Sequence, residues 1–226
     1  MWKLSILLTL FLFLNSCTSE TSNPESSDGP VDSRAKSTQP VANGSQEQKA
    51  SNNADTTDFR IAFNRFFQAL QAGDTSTLNE FIHPQYGVWF IEQPGAVPKM
   101  TLVGNIQSFK REYQNRSFLS VAEEMKKCNL QKEPFPKFSC DDLNYDAGKT
   151  GYSKDGCFVW KPEKFVKSGY WNYADLSLQQ VKRVQTTLPL VKKSVLHTNT
   201  SFEFHFGYID DHWRLLFAKL IYPCSA

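Results

Sequence analysis

Four histidines are the side chains best suited to move protons near neutral pH, because the ordinary pKa of histidine lies near 6.5. His83 directly precedes a proline and lies close in sequence to Tyr86 and Trp89, with which it could line the mouth of a pocket. Capping of a helix end explains His83 equally well. His205 lies between two phenylalanines on an alternating stretch, and a solvent-facing position is the alternative to a pocket there. An acid–base pair needs two groups within hydrogen-bond reach, and no spacing here ensures that. The sequence therefore predicts no catalytic residue, and a small isomerase or hydrolase remains an alternative to a binding protein.

A short acidic stretch resembles part of a calcium-binding loop. Asp142, Asn144 and Asp146 occupy the first, third and fifth positions of that pattern. The pattern then fails, because Ala147 replaces the turn glycine and Ser153 replaces the bidentate glutamate. A solvated acidic loop is therefore expected, with an irregular calcium site left open. The sequence predicts no metal and no cofactor.

The N-terminus has the composition of a secretory signal peptide over residues 1–16. Lys3 is its only charge, an apolar run follows from Leu4 to Leu14, and small polar residues come next. The run is shorter than the roughly 20 apolar residues that a spanning helix needs. The ending Leu14-Asn15-Ser16-Cys17 resembles the lipobox of bacterial lipoproteins, in which the cysteine is lipidated and becomes the mature N-terminus. The resemblance implies a membrane anchor at Cys17, with a cleaved, secreted chain as the alternative.

The resemblance to lipoproteins also implies a cellular location. Thr18 follows Cys17, whereas many lipoproteins retained in the inner membrane carry aspartate at that position. We therefore expect a cell-envelope protein that is anchored to the outer membrane.

Residues 17–58 are expected to form a lipidated, disordered linker, because they are polar and cannot bury enough apolar surface to offset the entropy of ordering. Residues 59–226 have the length of one domain. They contain 21 basic and 16 acidic residues, a net charge near +5. This modest charge on an exported chain argues against nucleic acid as a partner.

The domain has four cysteines, and an even number in an exported chain predicts two disulfide bonds. A zinc site is disfavoured because no Cys-x-x-Cys pair is present. Three connectivities exist. We favour Cys140 with Cys157, since their flanking residues resemble the two arms of a hairpin, which leaves Cys128 for Cys224; the other connectivities stay open.

Hydrophobic periodicity predicts an α+β fold in which helices pack on one face of a bent antiparallel sheet. Helices are expected from residue 59 to Gly73, from Thr75 to His83, over residues 105–126, and after a capping box formed by Ser177 and Gln180. A strand is expected over residues 86–91. Alternation over residues 195–222 predicts a C-terminal β-meander, and residues 127–173 are expected to form an irregular insertion that contains cysteines.

Two stretches resemble the nuclear-transport-factor-2-like (SnoaL-like) family. They are a phenylalanine-rich helix followed by Gln71-Ala72-Gly73-Asp74, and the closing hairpin from Phe204 to Leu215. The likeness covers residues 57–110 and 176–222. It implies a cone-shaped half barrel around a pocket, as in isomerases, dehydratases, ligand binders and interaction modules, and it carries no catalytic role to a numbered residue.

Aromatic residues and lysines alternate through the insertion, where Trp160 and Trp171 are the largest side chains. Aromatic faces stack on sugar rings and lysines attract anionic groups, so a glycan-binding surface is one interpretation. The alternative is a small satellite core stapled by disulfides. The sequence as a whole predicts a lipid-anchored binding or interaction protein whose partner is a small apolar ligand, a glycan or an envelope protein.

Overall fold

A computed structural model describes residues 47–224 of the 226-residue chain, with side chains described from Asp58 onward. The predicted signal peptide, the lipidation site at Cys17 and the linker up to residue 46 lie outside the described residues. In the part that is described, no helix is long and apolar enough to cross a membrane.

The first helix, α1, spans Glu47–Ala72 and carries the predicted phenylalanine stripe. Burial of a phenylalanine ring on this helix contributes about 1.5–3 kcal/mol to the free energy of folding, because the ring is removed from water. Residues 47–58 belong to this helix although the sequence predicts disorder there, and the physical reason is that extending an existing helix adds one hydrogen bond for each residue. The stripe residues that are at most 1% exposed are Phe59, Phe63 and Phe66.

The second helix, α2, spans Thr75–Glu80 and begins as predicted after a turn. Gly73 takes the left-handed conformation that ends α1, with φ of +67°. The Asp74 carboxylate then accepts a hydrogen bond from the Thr77 backbone N–H over 3.1 Å and caps α2.

The main sheet is curved, has seven strands and is not closed into a barrel. Its strands in spatial order are β2 (Lys99–Val103), β1 (Val88–Glu92), β9 (His212–Lys219), β8 (Phe202–Ile209), β7 (Val191–His197), β6 (Cys157–Trp160) and β3 (Leu130–Gln131). The predicted β-meander is confirmed as the antiparallel run β7–β8–β9. The prediction of a fully antiparallel sheet is wrong, because β1 pairs in parallel with β9 and β3 pairs in parallel with β6. Both parallel pairs join segments that are distant in sequence, which local patterns do not encode.

Both faces of the sheet are covered, whereas the sequence predicts helices on one face only. Helix α1 covers the face that carries Phe204 and Phe206. The other face is covered by α4 (Glu163–Val166), by the turn around Trp171 and by α5 (Leu178–Thr187), which begins with the predicted capping box. The reason is visible in β1, which reads Val88-Trp89-Phe90-Ile91 without polar alternation, and such strands are buried on both sides.

The predicted helix over residues 105–126 is replaced by three short 3₁₀ turns and a single α-helical turn, α3 (Val121–Glu124). Gln114 and Asn115 take positive φ angles of 56° and 52°, which interrupt any continuous helix. The chain turns back here, and Lys110 forms a bridge with Ser117.

The insertion contains β3, β6 and a separate hairpin of β4 (Phe138–Asn144) and β5 (Lys149–Tyr152). The disulfides join Cys128 to Cys157 and Cys140 to Cys224, so the favoured pairing of Cys140 with Cys157 is wrong. The partner of β4 is β5 rather than β6. Cys157 instead lies opposite Leu130 in the parallel pair of β3 and β6, which brings Cys128 beside it.

Candidate functional site

A cleft of about 720 Å³ opens where the end of β1 meets the turns before α3 and the chain end after β9. This volume is within the range of small-molecule sites in proteins. We call it the carboxylate cleft, after the three glutamates among the side chains that line it: Glu92, Glu112, Glu124, Tyr113, Arg116 and Tyr222.

A buried arginine organises the inner wall of this cleft. The Arg111 side chain is fully buried, and its Nη1 donates a hydrogen bond to Glu124 Oε1 over 2.6 Å. Its Nη2 donates to the Tyr222 hydroxyl over 3.0 Å, and that hydroxyl donates to Glu124 Oε2 over 2.5 Å. The guanidinium carbon also lies 5.2 Å from the centre of the Phe202 ring, within cation–π distance. Arg111, Glu124 and Tyr222 therefore hold one another in fixed positions.

Glu92, the last residue of β1, lacks the short hydrogen bond to Arg111 that Glu124 has. Its side chain is only 7% exposed, and both carboxylate oxygens accept from the Glu112 backbone N–H, over 3.2 and 3.0 Å. Arg111 Nε lies 3.8 Å from Glu92 Oε1 and has no hydrogen-bond partner within the described residues. Glu92 is therefore a nearly buried acid whose ion pair with Arg111 is long.

The pKa values of three groups at the cleft are shifted from their ordinary values. Burial raises the pKa of Glu92 above its ordinary value, against the lowering effects of the Glu112 backbone N–H and of Arg111. Burial, followed by the hydrogen bond to Glu124, raises the pKa of Tyr222 to about 12, so this hydroxyl keeps its proton at neutral pH. Burial acts to lower the pKa of Arg111, but the hydrogen bonds to Glu124 and Tyr222 outweigh it and keep the guanidinium charged.

His83 and Tyr86 lie together near the end of the β8–β9 hairpin, as neighbouring positions in the sequence suggested. His83 Nδ1 accepts from the Gln85 N–H over 3.1 Å, and its Nε2 lies 3.1 Å from Asp210 Oδ2. The His83 and Tyr86 rings are 4.9 Å apart. We call the buried apolar cluster on the sheet face covered by α4 and α5 the second core. Trp89 lies in the second core and has no exposed surface.

His205 is fully buried, so a solvent-facing position for it is wrong. The Phe165 ring of α4 stacks on the imidazole with ring centres 3.5 Å apart, because the insertion covers this face of the sheet. His205 Nδ1 lies 2.7 Å from Ser194 Oγ, and Nε2 lies 3.8 Å from Glu203 Oε2. In the triad of many hydrolases the serine bonds Nε2 and the carboxylate bonds Nδ1. Here Ser194 lies on Nδ1, and Glu203 is beyond hydrogen-bond distance of Nε2. Ser194 itself is 1% exposed.

The two tryptophans of the insertion do not share an exposed surface. Trp171 is 8% exposed and packs near Phe165 in the second core, whereas Trp160 is 37% exposed. Trp171 therefore belongs to a buried cluster, whereas Trp160 is partly exposed.

The acidic stretch of the calcium-like pattern runs from β4 into the turn before β5. The Asn144 side chain accepts a hydrogen bond from the Ala147 N–H over 3.0 Å, which is the geometry of a capped turn. Within residues 58–224, whose side chains are described, no group of three or more histidine, cysteine, aspartate or glutamate side chains is arranged to hold a metal ion.

Sequence reasoning missed the carboxylate cleft. Its residues come from β1, from the turns wrongly expected to be a helix, and from the chain end, with a sequence separation of 111 between Arg111 and Tyr222. The visible signal was Glu92, a charged residue directly after four consecutive apolar residues of a strand. No local pattern pairs Glu92 with Arg111.

Comparison with protein-family models, curated proteins and solved structures finds no match for this chain. Function must therefore be inferred from the chemistry of its own residues.

Proposed function

We propose that this chain is a lipid-anchored cell-envelope binding protein that holds the cationic group of an amine or guanidine ligand in the carboxylate cleft. The observation that carries the proposal is the nearly buried Glu92 carboxylate, whose ion pair with Arg111 spans 3.8 Å. An ammonium or guanidinium group beside Glu92 would replace water lost through burial and form a charge-assisted hydrogen bond.

The charges around the cleft support a cationic ligand. Arg111 is matched by Glu124, Arg116 by Glu123, and Lys99 by Glu112. Among the described residues, Glu92 is left with only the long ion pair to Arg111, a guanidinium that is already paired with Glu124. One positive group on a ligand would balance it.

The aromatic side chains of the cleft add to this preference. Tyr113 and Tyr222 lie with ring centres 5.8 Å apart, and both line the cleft. Tyrosine faces attract cations, with about 0.5–1 kcal/mol at exposed sites. Gln93 and Gln114 supply neutral donors and acceptors that can orient the rest of the ligand.

The location and the family are proposals of the same kind. The lipobox-like ending at Cys17 supports an anchor in the envelope, facing the periplasm or the surface, with the outer membrane as the expected site. The arrangement of α1 and α2 on a curved sheet supports the resemblance to the nuclear-transport-factor-2-like cone.

Titration calorimetry on the full chain tests the ligand class. The probes are benzylamine, agmatine and spermidine, with benzyl alcohol as the neutral analogue. We expect the amines to bind and the alcohol not to bind, and Glu92→Gln to weaken amine binding about tenfold or more. The matched control is Glu163→Gln, an exposed glutamate of α4 outside the cleft, which should bind like the wild type. Failure of all three amines to bind, or wild-type affinity in Glu92→Gln, would contradict the proposal.

The pH dependence of amine binding provides a second readout. Because burial raises the pKa of Glu92 above 4.5, the free protein holds a proton on this carboxyl over a wider pH range than an exposed glutamate does. Affinity for benzylamine should therefore increase as the pH rises from 4.5 through the raised pKa, with proton release on binding. Glu92→Gln should lose this dependence.

The anchor is tested separately by metabolic labelling with radioactive palmitate. We expect label in the wild-type chain and none in Cys17→Ala, which should also leave the membrane fraction. If Cys17→Ala still fractionates with membranes and the wild type takes up no label, the anchor is refuted while the amine site remains.

A further inference from the structure

A second cleft, of about 440 Å³, lies between the β4–β5 hairpin and the main sheet. We call it the aromatic cleft. Its aromatic walls come from the insertion, and its polar floor comes from β8 and β9. The side chains on which the inference depends are Phe135, Phe138, Tyr152, Tyr170, Glu203 and Lys219.

The floor of the aromatic cleft is a nearly buried ion pair. Lys219 Nζ lies 2.6 Å from Glu203 Oε1, and the two side chains are 16% and 15% exposed. Burial acts to lower the pKa of Lys219, but the Glu203 carboxylate outweighs it and raises this pKa, so the ammonium group stays charged. The floor therefore presents a strong donor beside a strong acceptor, with no net charge.

Further polar groups lie in or behind the floor. His205 Nε2 is fully buried, lies 3.8 Å from Glu203 Oε2, and has no hydrogen-bond partner within residues 47–224. Tyr152 forms a side-chain hydrogen bond with Ser201, whose side chain also lines the cleft. The cleft is thus lined by polar side chains from the main sheet and by Lys164 of α4, in addition to its aromatic rings.

The walls are held in place by close packing and a disulfide. Phe138 pairs with Tyr152 across the hairpin, with ring centres 4.8 Å apart. Gly151 allows this approach, since a Cβ there would lie 2.6 Å from the Phe138 ring and its φ is +77°. The disulfide from Cys140 to Cys224 ties the hairpin to the chain end beside the cleft.

We infer that the aromatic cleft binds a saccharide. Pyranose rings have an apolar C–H face that stacks on aromatic rings, and an edge of neighbouring hydroxyl groups. Adjacent hydroxyls match the Glu203–Lys219 pair, because one donates to the carboxylate and the next accepts from the ammonium group. A purely apolar ligand would leave both charges without water. Lys164 also lines the cleft, but an anion would still meet the Glu203 carboxylate beside Lys219.

This site is separate from the carboxylate cleft. Successive residues from the end of β9 onward alternate between the two: Lys219 and Ile221 line the aromatic cleft, whereas Leu220 and Tyr222 line the carboxylate cleft. Saccharide binding and amine binding can therefore be tested independently, and failure of one leaves the other standing.

The test uses the full chain and saturation-transfer NMR with three tetrasaccharides: β1,4-linked N-acetylglucosamine, β1,4-linked glucose and α1,4-linked glucose. We expect at least one of them to receive saturation on its ring C–H protons. Phe138→Ala and Tyr170→Ala should weaken binding of that sugar about tenfold, measured by calorimetry. The matched controls are Tyr145→Ala and Tyr173→Ala, which remove aromatic rings that are 57% and 71% exposed and lie outside the cleft lining.

Thermal unfolding and benzylamine binding of each variant show whether it is folded. A third variant, in which Glu203→Gln and Lys219→Met are combined, removes both charges without leaving one of them unpaired, and should also lose sugar binding. The inference is overturned if none of the three sugars receives saturation, or if folded wall variants bind as tightly as the controls.

Discussion

Arg111 donates a hydrogen bond to Glu124 over 2.6 Å even though the Arg111 side chain has no exposed surface. Burying a guanidinium group is costly unless its charge is matched, and Glu124 provides that match with both carboxylate oxygens engaged. The pair fixes the turns before α3 against the chain end, because Tyr222 contacts both partners.

Removal of the Glu124 carboxylate should therefore destabilise the fold. In Glu124→Ala the buried Arg111 charge loses its main partner, and we expect the free energy of unfolding to fall by about 3 kcal/mol. Urea denaturation followed by circular dichroism measures this loss. The matched control is Glu123→Ala, the neighbouring residue of α3, whose side chain is 71% exposed in its pair with Arg116. It should change stability by less than about 1 kcal/mol. Equal losses in the two variants would show that the buried pair does not stabilise the fold.

Stability should decrease on acidification because of His205. Burial, together with the positive charge of Lys219, lowers the pKa of this histidine well below 6.5. The unfolded chain therefore binds the proton more readily than the folded protein once the pH falls below 6.5, so stability that is present above that pH is lost as the pH falls towards the lowered pKa. Glu203 and Ser194 also face the ring, and neither removes this effect of burial.

Urea denaturation at pH 7.5 and pH 5.5 measures this dependence. The decrease in wild-type stability should be reduced in His205→Gln by on the order of 1 kcal/mol. His212→Gln, at an exposed position of β9, should keep the wild-type decrease. Unchanged pH dependence in His205→Gln would contradict the assignment.

The two disulfides should differ in their contribution. The Cys140–Cys224 bond closes a sequence separation of 84 residues and the Cys128–Cys157 bond one of 29. From chain entropy, replacing both cysteines of a pair by serine should cost about 4.5 and about 3.5 kcal/mol respectively. Denaturation of each double variant measures the cost.

Peptide mapping of the non-reduced protein checks the disulfide connectivity independently of the stability measurements. We expect peptides that link Cys128 with Cys157 and Cys140 with Cys224. A peptide that links Cys140 with Cys157 would restore the pairing favoured from the sequence and contradict the placement of the hairpin.

Much of the local structure follows from patterns a few residues long. The phenylalanine stripe of α1, the capping box of Ser177 and Gln180, and the alternation of β8 and β9 are all confirmed. These features depend on helix and strand periods, which are set by backbone geometry and are readable in any short window. The turns around Gln114 escaped the same reasoning, because apolar spacing over residues 105–126 also fits a helix.

The candidate sites could not be predicted from these short patterns. Glu92 and Arg111 are close only because β1 leads into turns that fold back over it. His205 could not be assigned to a face, since both faces of β8 are covered and its neighbours come from α4. The parallel pairing of the neighbouring strands β1 and β9 likewise depends on contacts between segments that are distant in sequence.

The sequence by itself determined the α+β class, the first helix and the closing meander, because periodic hydrophobicity and turn residues act locally. Only the tertiary structure decided which cysteines pair, that both sheet faces are buried, and that Glu92, Arg111 and Tyr222 meet in one cleft. Those relationships depend on how segments tens of residues apart connect and pack against one another. No short stretch of sequence contains that information.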